Sequence, residues 1–160
     1  MIREKIDKAM EWTLGAILSV MVIDVLWQVL SRYVFVNPST FTDELASFLL
    51  IWLGVLGGAY VYGKNEHLSI SFLVDKLSDN KKRAVKASVE IIVLLFSFCV
   101  MVVGGIWLVY TRFLLNVHSA ALDLNWGYVY MVLPLSGLVI SYYSIDNLLK
   151  GRSNFSQNHF

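Results

Sequence analysis

Apolar positions along this chain gather into four long runs separated by shorter polar stretches. Trp12 to Ser31 is the first, interrupted by Asp24 and Gln28; Leu45 to Tyr62, Ile91 to Thr111 and Trp126 to Ile145 carry no charge at all. Runs of about 18 residues or more are long enough to cross a bilayer as helices, because the hydrocarbon core is roughly 30 Å thick and a helix rises about 1.5 Å per residue. The pattern predicts an all-α integral membrane protein, a single four-helix membrane domain with spans at about 12–34, 42–63, 86–112 and 126–147. Ahead of the first run, Ile2, Ile6, Ala9 and Met10 fall at helical spacing with Arg3, Glu4, Lys5, Asp7 and Lys8 between them, which predicts a surface-lying helical lead-in. A cleaved signal peptide would begin in the same way, but no small-residue cleavage site follows and the run continues to spanning length.

The polar stretches have patterns of their own. Thr40 followed by Asp43 is similar to a capping box, and Asp43 and Glu44 would meet the positive end of the second helix dipole. From Gly63 to Lys86 the chain turns basic, with Lys64, Lys76, Lys81, Lys82, Arg83 and Lys86. Within it Ile70, Leu73, Val74 and Leu77 fall at i, i+3, i+4 and i+7, which predicts an amphipathic interfacial helix in the 64–82 connection, with His67, Leu73, Lys81, Lys82 and Arg83 as its anchors. A polar linker runs from Arg112 to Asn125, and 150–160 is expected to be a flexible tail.

The basic residues set the expected orientation. With the N-terminus in the cytoplasm, the inner segments hold Arg3, Lys5, Lys8, the six basic residues above, Lys150 and Arg152, whereas the outer linkers hold only Arg32 and Arg112. Both termini are therefore expected inside. Trp27, Trp107, Trp126, Tyr128 and Tyr130 then fall toward the outer boundary, and Trp12, Tyr60, Tyr62, Tyr142 and Tyr143 toward the inner one.

Composition narrows the picture further. With 57% hydrophobic and 16% charged residues and a mean hydropathy of +0.62, so short a chain cannot bury its apolar surface in a water-soluble core. A net charge of +1 argues against a nucleic-acid partner. The lone Cys99 permits no internal disulfide.

Candidate chemistry is sparse. A charged Asp24 inside a span would cost about 2.5–3.5 kcal/mol on insertion scales, so it is neutral, paired or partner-facing. It reads either as a proton or ion site or as a buried interhelical hydrogen bond, with Gln28 one turn away. His67, His118 and His159 lie outside the spans, so a haem held between membrane helices has no ligand pair. No phosphate loop, metal-spaced cluster or paired nucleophile appears, and neither an enzyme nor a cofactor is expected. Gly54 and Gly58 form a GxxxG step, with Ala59, Gly63, Gly104 and Gly105 adding small surfaces, the association signal of helices in lipid. Arg32, Asp43, Glu44 and Arg112 all fall at the outer boundary, either as one ion network or as separate solvated groups.

Ser31, Arg32, Tyr33, Val34 and Phe35, then Pro38, then Phe41, Thr42, Asp43 and Glu44, the Trp52 to Gly58 passage, Glu66 with His67, and Leu133, Pro134 and Leu135 carry a resemblance. The chain resembles the small membrane subunit of tripartite ATP-independent periplasmic (TRAP) transporters, the DctQ-like family, closest to its sialic-acid members. That family favours a tryptophan and two glutamates where this chain has Phe41, Asp43 and Glu44. The resemblance implies a multi-pass protein of the bacterial inner membrane that braces a large elevator-type membrane subunit during sodium-coupled uptake of an organic acid, with a soluble periplasmic protein delivering it. The sodium ions would bind in the large subunit. Trp52, Gly54, Gly58 and Ala59 become the expected contact with that subunit, the basic segment an anchor to phospholipid, and Val36 to Phe41 and Asn116 to Asn125 candidate contacts with the periplasmic protein. The alternative is a self-contained small proton-coupled transporter acting as a dimer through Asp24.

Overall fold

In the computed structural model, residues 2–35, 39–64 and 79–156 are described. They form α1 (Ile2–Tyr33), α2 (Thr40–Lys64), α3 (Asp79–Phe96), a π-helical segment (Ser97–Gly104), α4 (Gly105–Leu114), α5 (Trp126–Tyr130) and α6 (Val132–Ser156). Among the described residues, four stretches are long and apolar enough to cross a membrane: Arg3–Tyr33, Thr40–Lys64, Ala84–Leu114 and Trp126–Leu149. The third span is α3, the π segment and α4 end to end; the fourth is α5 followed by α6.

The element ends follow from local chemistry. The lead-in is no separate surface helix, because α1 runs unbroken from Ile2 and Met10 is buried in the core against α2. Its apolar positions continue the stripe of Leu14 and Ile17, so one helix serves both stretches. Ser39, not Thr40, caps α2: its Oγ accepts from Thr42 N at 3.4 Å, and its carbonyl accepts from Thr42 Oγ1 at 2.9 Å. Asn125 caps α5, its side-chain oxygen accepting from Gly127 N at 2.8 Å. The step at Met131 between α5 and α6 reflects Pro134, which has no N–H to offer the carbonyl four residues before it. α6 remains helical to Ser156, into the stretch expected as a flexible tail, and the basic tract Lys81–Lys86 forms the opening turns of α3.

Among the described residues the spans pack in the order first, second, fourth, third: α2 lies between α1 and α6, and α6 lies between α2 and the third span, while α1 makes no backbone approach to the third span. The result is an open row rather than a closed square bundle. Met10, Leu56, Ala59 and Val132 form the core where α1, α2 and α6 meet, with Ile6, Ile17, Trp52 and Val139 packed around them. Glycines let the fourth span approach closely. A Cβ at Gly137 would lie 2.8 Å from Met101 Cβ and 3.0 Å from the Ser97 carbonyl, and one at Gly105 would lie 2.9 Å from Pro134 Cδ. Ser97 and Ser141, both buried, share a hydrogen bond of 2.8 Å at that contact. Large apolar side chains such as Trp12, Ile23, Ile92 and Trp107 point away from the protein, as expected where lipid or a partner is the solvent.

Candidate functional site

The two ends of the row differ in chemistry. At the end where α1 begins, a polar clasp ties all four spans together. Arg3 donates to Asp146 Oδ2 at 2.8 Å, to Asn147 Oδ1 at 3.2 Å and to the Gly63 carbonyl at 2.5 Å. Tyr143, fully buried, donates to Asp7 Oδ1 at 2.5 Å, and the Arg3 guanidinium lies 5.1 Å from its ring centre. Lys64 reaches Asp7 at 3.6 Å and Glu11 at 3.3 Å, and Glu11 also accepts from the Tyr60 hydroxyl at 2.7 Å. Glu90 brings in the third span: it accepts from Tyr62 and, at 3.1 Å, from Asn147 Nδ2. The Tyr62 hydroxyl lies 2.7 Å from Ser144 Oγ. Charges at this depth persist because each has a partner on another span.

At the opposite end, the expected outer ion network resolves into separate arrangements. Asp43 accepts from Gln28 Nε2 and lies 3.9 Å from the Arg32 guanidinium, tying α2 to α1. Glu44 turns the other way and accepts from three successive backbone N–H groups, Ala120, Ala121 and Leu122, each at 3.0 Å. Arg112 joins neither group: its guanidinium lies 5.8 Å from the Tyr130 ring centre, and its buried Nε has no hydrogen-bond partner. Phe48 and Trp126 meet edge to face at 5.1 Å just inside this end.

Asp24 is 7% exposed, and its Oδ2 has no hydrogen-bond partner. Gln28, one turn further along α1, spends its amide on Asp43 rather than on Asp24.

The four residues expected to face a large subunit divide between two faces of α2. Ala59 is fully buried in the core, and Trp52, half-buried, packs against that core. Gly54 and Gly58 point outward, with nothing within 4 Å of a Cβ built on either, and the same holds for Gly57. Gly63 is the reverse case: a Cβ there would lie 2.5 Å from Tyr143 Cε2. An open apolar groove runs between α4 and the start of α6, lined by Ile106, Tyr110, Phe113, Met131, Pro134 and Leu135. His67 and Leu73 lie outside the described residues, as do the side chains of Lys82 and Arg83; Lys81 is exposed near the start of α3.

Sequence reasoning missed the clasp. Its signals were present: Arg3, Asp7 and Glu11 recur every four residues on one stripe of α1, and Glu90 is the lone acid in Ala84–Leu114. Which groups they meet depends on the packing order of the spans, and spacing along one helix does not encode that.

The sequence matches the family model for tripartite ATP-independent periplasmic transporters, DctQ component, over residues 21–154. It is 30% identical over 146 residues to a protein of Haemophilus influenzae named as a TRAP transporter small permease, covering 90% of this chain and 88% of that one. It is 27% identical over 104 residues to the sialic acid TRAP transporter small permease protein SiaQ of Vibrio cholerae, covering 65% of this chain and 60% of SiaQ. A third likeness, 33% over 94 residues, is to the sialic acid TRAP transporter permease protein SiaT of Haemophilus influenzae; it takes in 58% of this chain but only 15% of SiaT. With a family match across most of its length and four helices fit to cross a bilayer, the chain belongs to the DctQ component family of tripartite ATP-independent periplasmic transporters, as a small permease subunit of the bacterial inner membrane and a transport component rather than an enzyme.

Proposed function

We propose that this subunit is a fixed lateral brace for a large membrane transport subunit, which carries an organic acid, best matched by sialic acid, together with sodium ions. The likeness to SiaT carries the reading: a stretch similar to this chain occupies only 15% of a permease named for sialic acid. A small-permease sequence joined to a much longer permease is what constant side-by-side pairing would favour. The open row of spans supports the same role, since it presents apolar side chains on its outer faces and an uncovered Gly54–Gly58 face that a partner helix can approach.

In this reading both termini are cytoplasmic, the clasp holds the inner end rigid, and basic residues such as Lys81 meet anionic phospholipid at about 1 kcal/mol each. The loops at the other end face the periplasm, where a soluble substrate-binding protein docks. The deciding experiment is uptake of labelled N-acetylneuraminate into vesicles holding this chain, its large subunit, or both, with the binding protein outside and a sodium gradient imposed. Uptake with both membrane subunits, and with neither alone, supports the reading; equal uptake without this chain removes it.

The unpartnered Oδ2 of Asp24 favours one competing reading, a self-contained proton-coupled carrier. Asp24→Asn separates the two. A brace keeps most of its transport beside its partner, whereas such a carrier loses its coupling.

A further inference from the structure

We propose that Glu44 is a positioning residue for loading from the outer face: its carboxylate fixes the shape in which the loop between the third and fourth spans is presented to water. The proposal rests on the transporter reading above. Its geometry is a backbone nest closed by an anion from another element. Oε1 accepts from Ala120 N, and Oε2 accepts from Ala121 N and Leu122 N, each at 3.0 Å. Successive N–H groups converging on one point bind an anion well, and here α2 supplies it from just beyond its first turn, 76 to 78 residues away along the chain.

The loop needs such a tie. Its stem closes through Ser119 N to Leu124 O at 2.9 Å and Trp126 N to Val117 O at 3.0 Å. Asn116 and Asp123 adopt left-handed backbone with φ of 49° and 52°, a conformation that these two residue types tolerate better than other non-glycine residues and that marks tight turning at both ends of the loop. A carboxylate meets three donors with acceptors alone, whereas an amide would turn a donor of its own toward them. Glu44 thereby couples the start of α2 to a loop whose far side projects Asp123, 92% exposed, and His118, 45% exposed, with 3.8 Å between the imidazole Nδ1 and the carboxylate. A surface held in one shape binds with less ordering cost than a mobile one.

The test uses the complex of this chain with its large subunit in lipid vesicles, with the transporter's own soluble binding protein added outside. Glu44→Ala and the nearly isosteric Glu44→Gln should speed amide hydrogen exchange at residues 120–122 by about tenfold or more. The binding-protein concentration giving half-maximal uptake should rise by about fivefold or more, while the maximal rate stays within about twofold. Glu44→Asp, which keeps the charge, should recover part of both. Should the alanine variant fail to assemble, the glutamine variant decides alone. Unchanged exchange overturns the latch. Faster exchange with an unmoved half-maximal concentration, or a lowered maximal rate alone, overturns the positioning role. Loss of uptake in the wild-type complex strikes the transporter reading instead, and is told apart because exchange is measured on the same vesicles without transport.

Discussion

Gly63 and Gly54 show what a single missing side chain does in two different places on one helix. Gly63 is pressed against the buried Tyr143 ring, the same ring that holds Asp7 through its hydroxyl. Gly54 meets open space. Gly63→Ala should therefore force the ring off its seat and cost about 1–3 kcal/mol, lowering the midpoint of thermal unfolding in detergent by roughly 3–10 °C. Gly54→Ala should leave that midpoint unchanged, within about 1 °C. A reversal of the two would mean that the outward face of α2 had been assigned to the wrong side. The charged residues teach the same lesson about position. Asp43 and Glu44 are adjacent and chemically alike, yet one binds α1 and the other a distant loop, because neighbouring residues on a helix point about 100° apart.

At the level of elements, the third and fourth spans depend on a contact that only a glycine allows. Gly137 lies against the π-helical turn of the third span, where Ser97, Met101 and Val102 leave no room for a side chain. Gly137→Val should push the two spans apart and break the Ser97–Ser141 hydrogen bond, lowering the midpoint of thermal unfolding in detergent by roughly 3–10 °C. Gly104→Ala, whose nearest contact is 3.9 Å away, is the matched control and should unfold at the wild-type midpoint. The spans themselves were legible in the sequence, because run length against bilayer thickness is a one-dimensional criterion. The merging of the lead-in with α1 was partly legible, since Ile6, Met10, Leu14 and Ile17 keep one spacing. The capping residue was misread by one position, and the π segment carried no signal in a sequence that is apolar apart from Ser97 and Gly104. Pairings such as Arg3 with Asp146 or Glu44 with Ala121 were not legible, because they depend on which spans are neighbours.

For the whole molecule, the row of four spans is polar at both ends and apolar along its flanks, the shape of a part that is gripped sideways. Orientation is open to direct measurement. In a Cys99→Ser background, Asp123→Cys should react with a membrane-impermeant maleimide added to intact spheroplasts, and Lys5→Cys should react only after the membrane is opened. The opposite pattern would place the termini outside and put the Glu44 loop on the cytoplasmic face.

Association with the large subunit is the claim on which the rest depends, and it can be tested without knowing the transported solute. With an affinity tag on this chain alone, the two membrane subunits are co-expressed, extracted in mild detergent and sized by native mass spectrometry. The account predicts a complex containing both subunits in fixed ratio, lost when Gly54 and Gly58 are both replaced by leucine although the chain itself still folds. A tagged chain that comes out alone, or only as copies of itself, would contradict it.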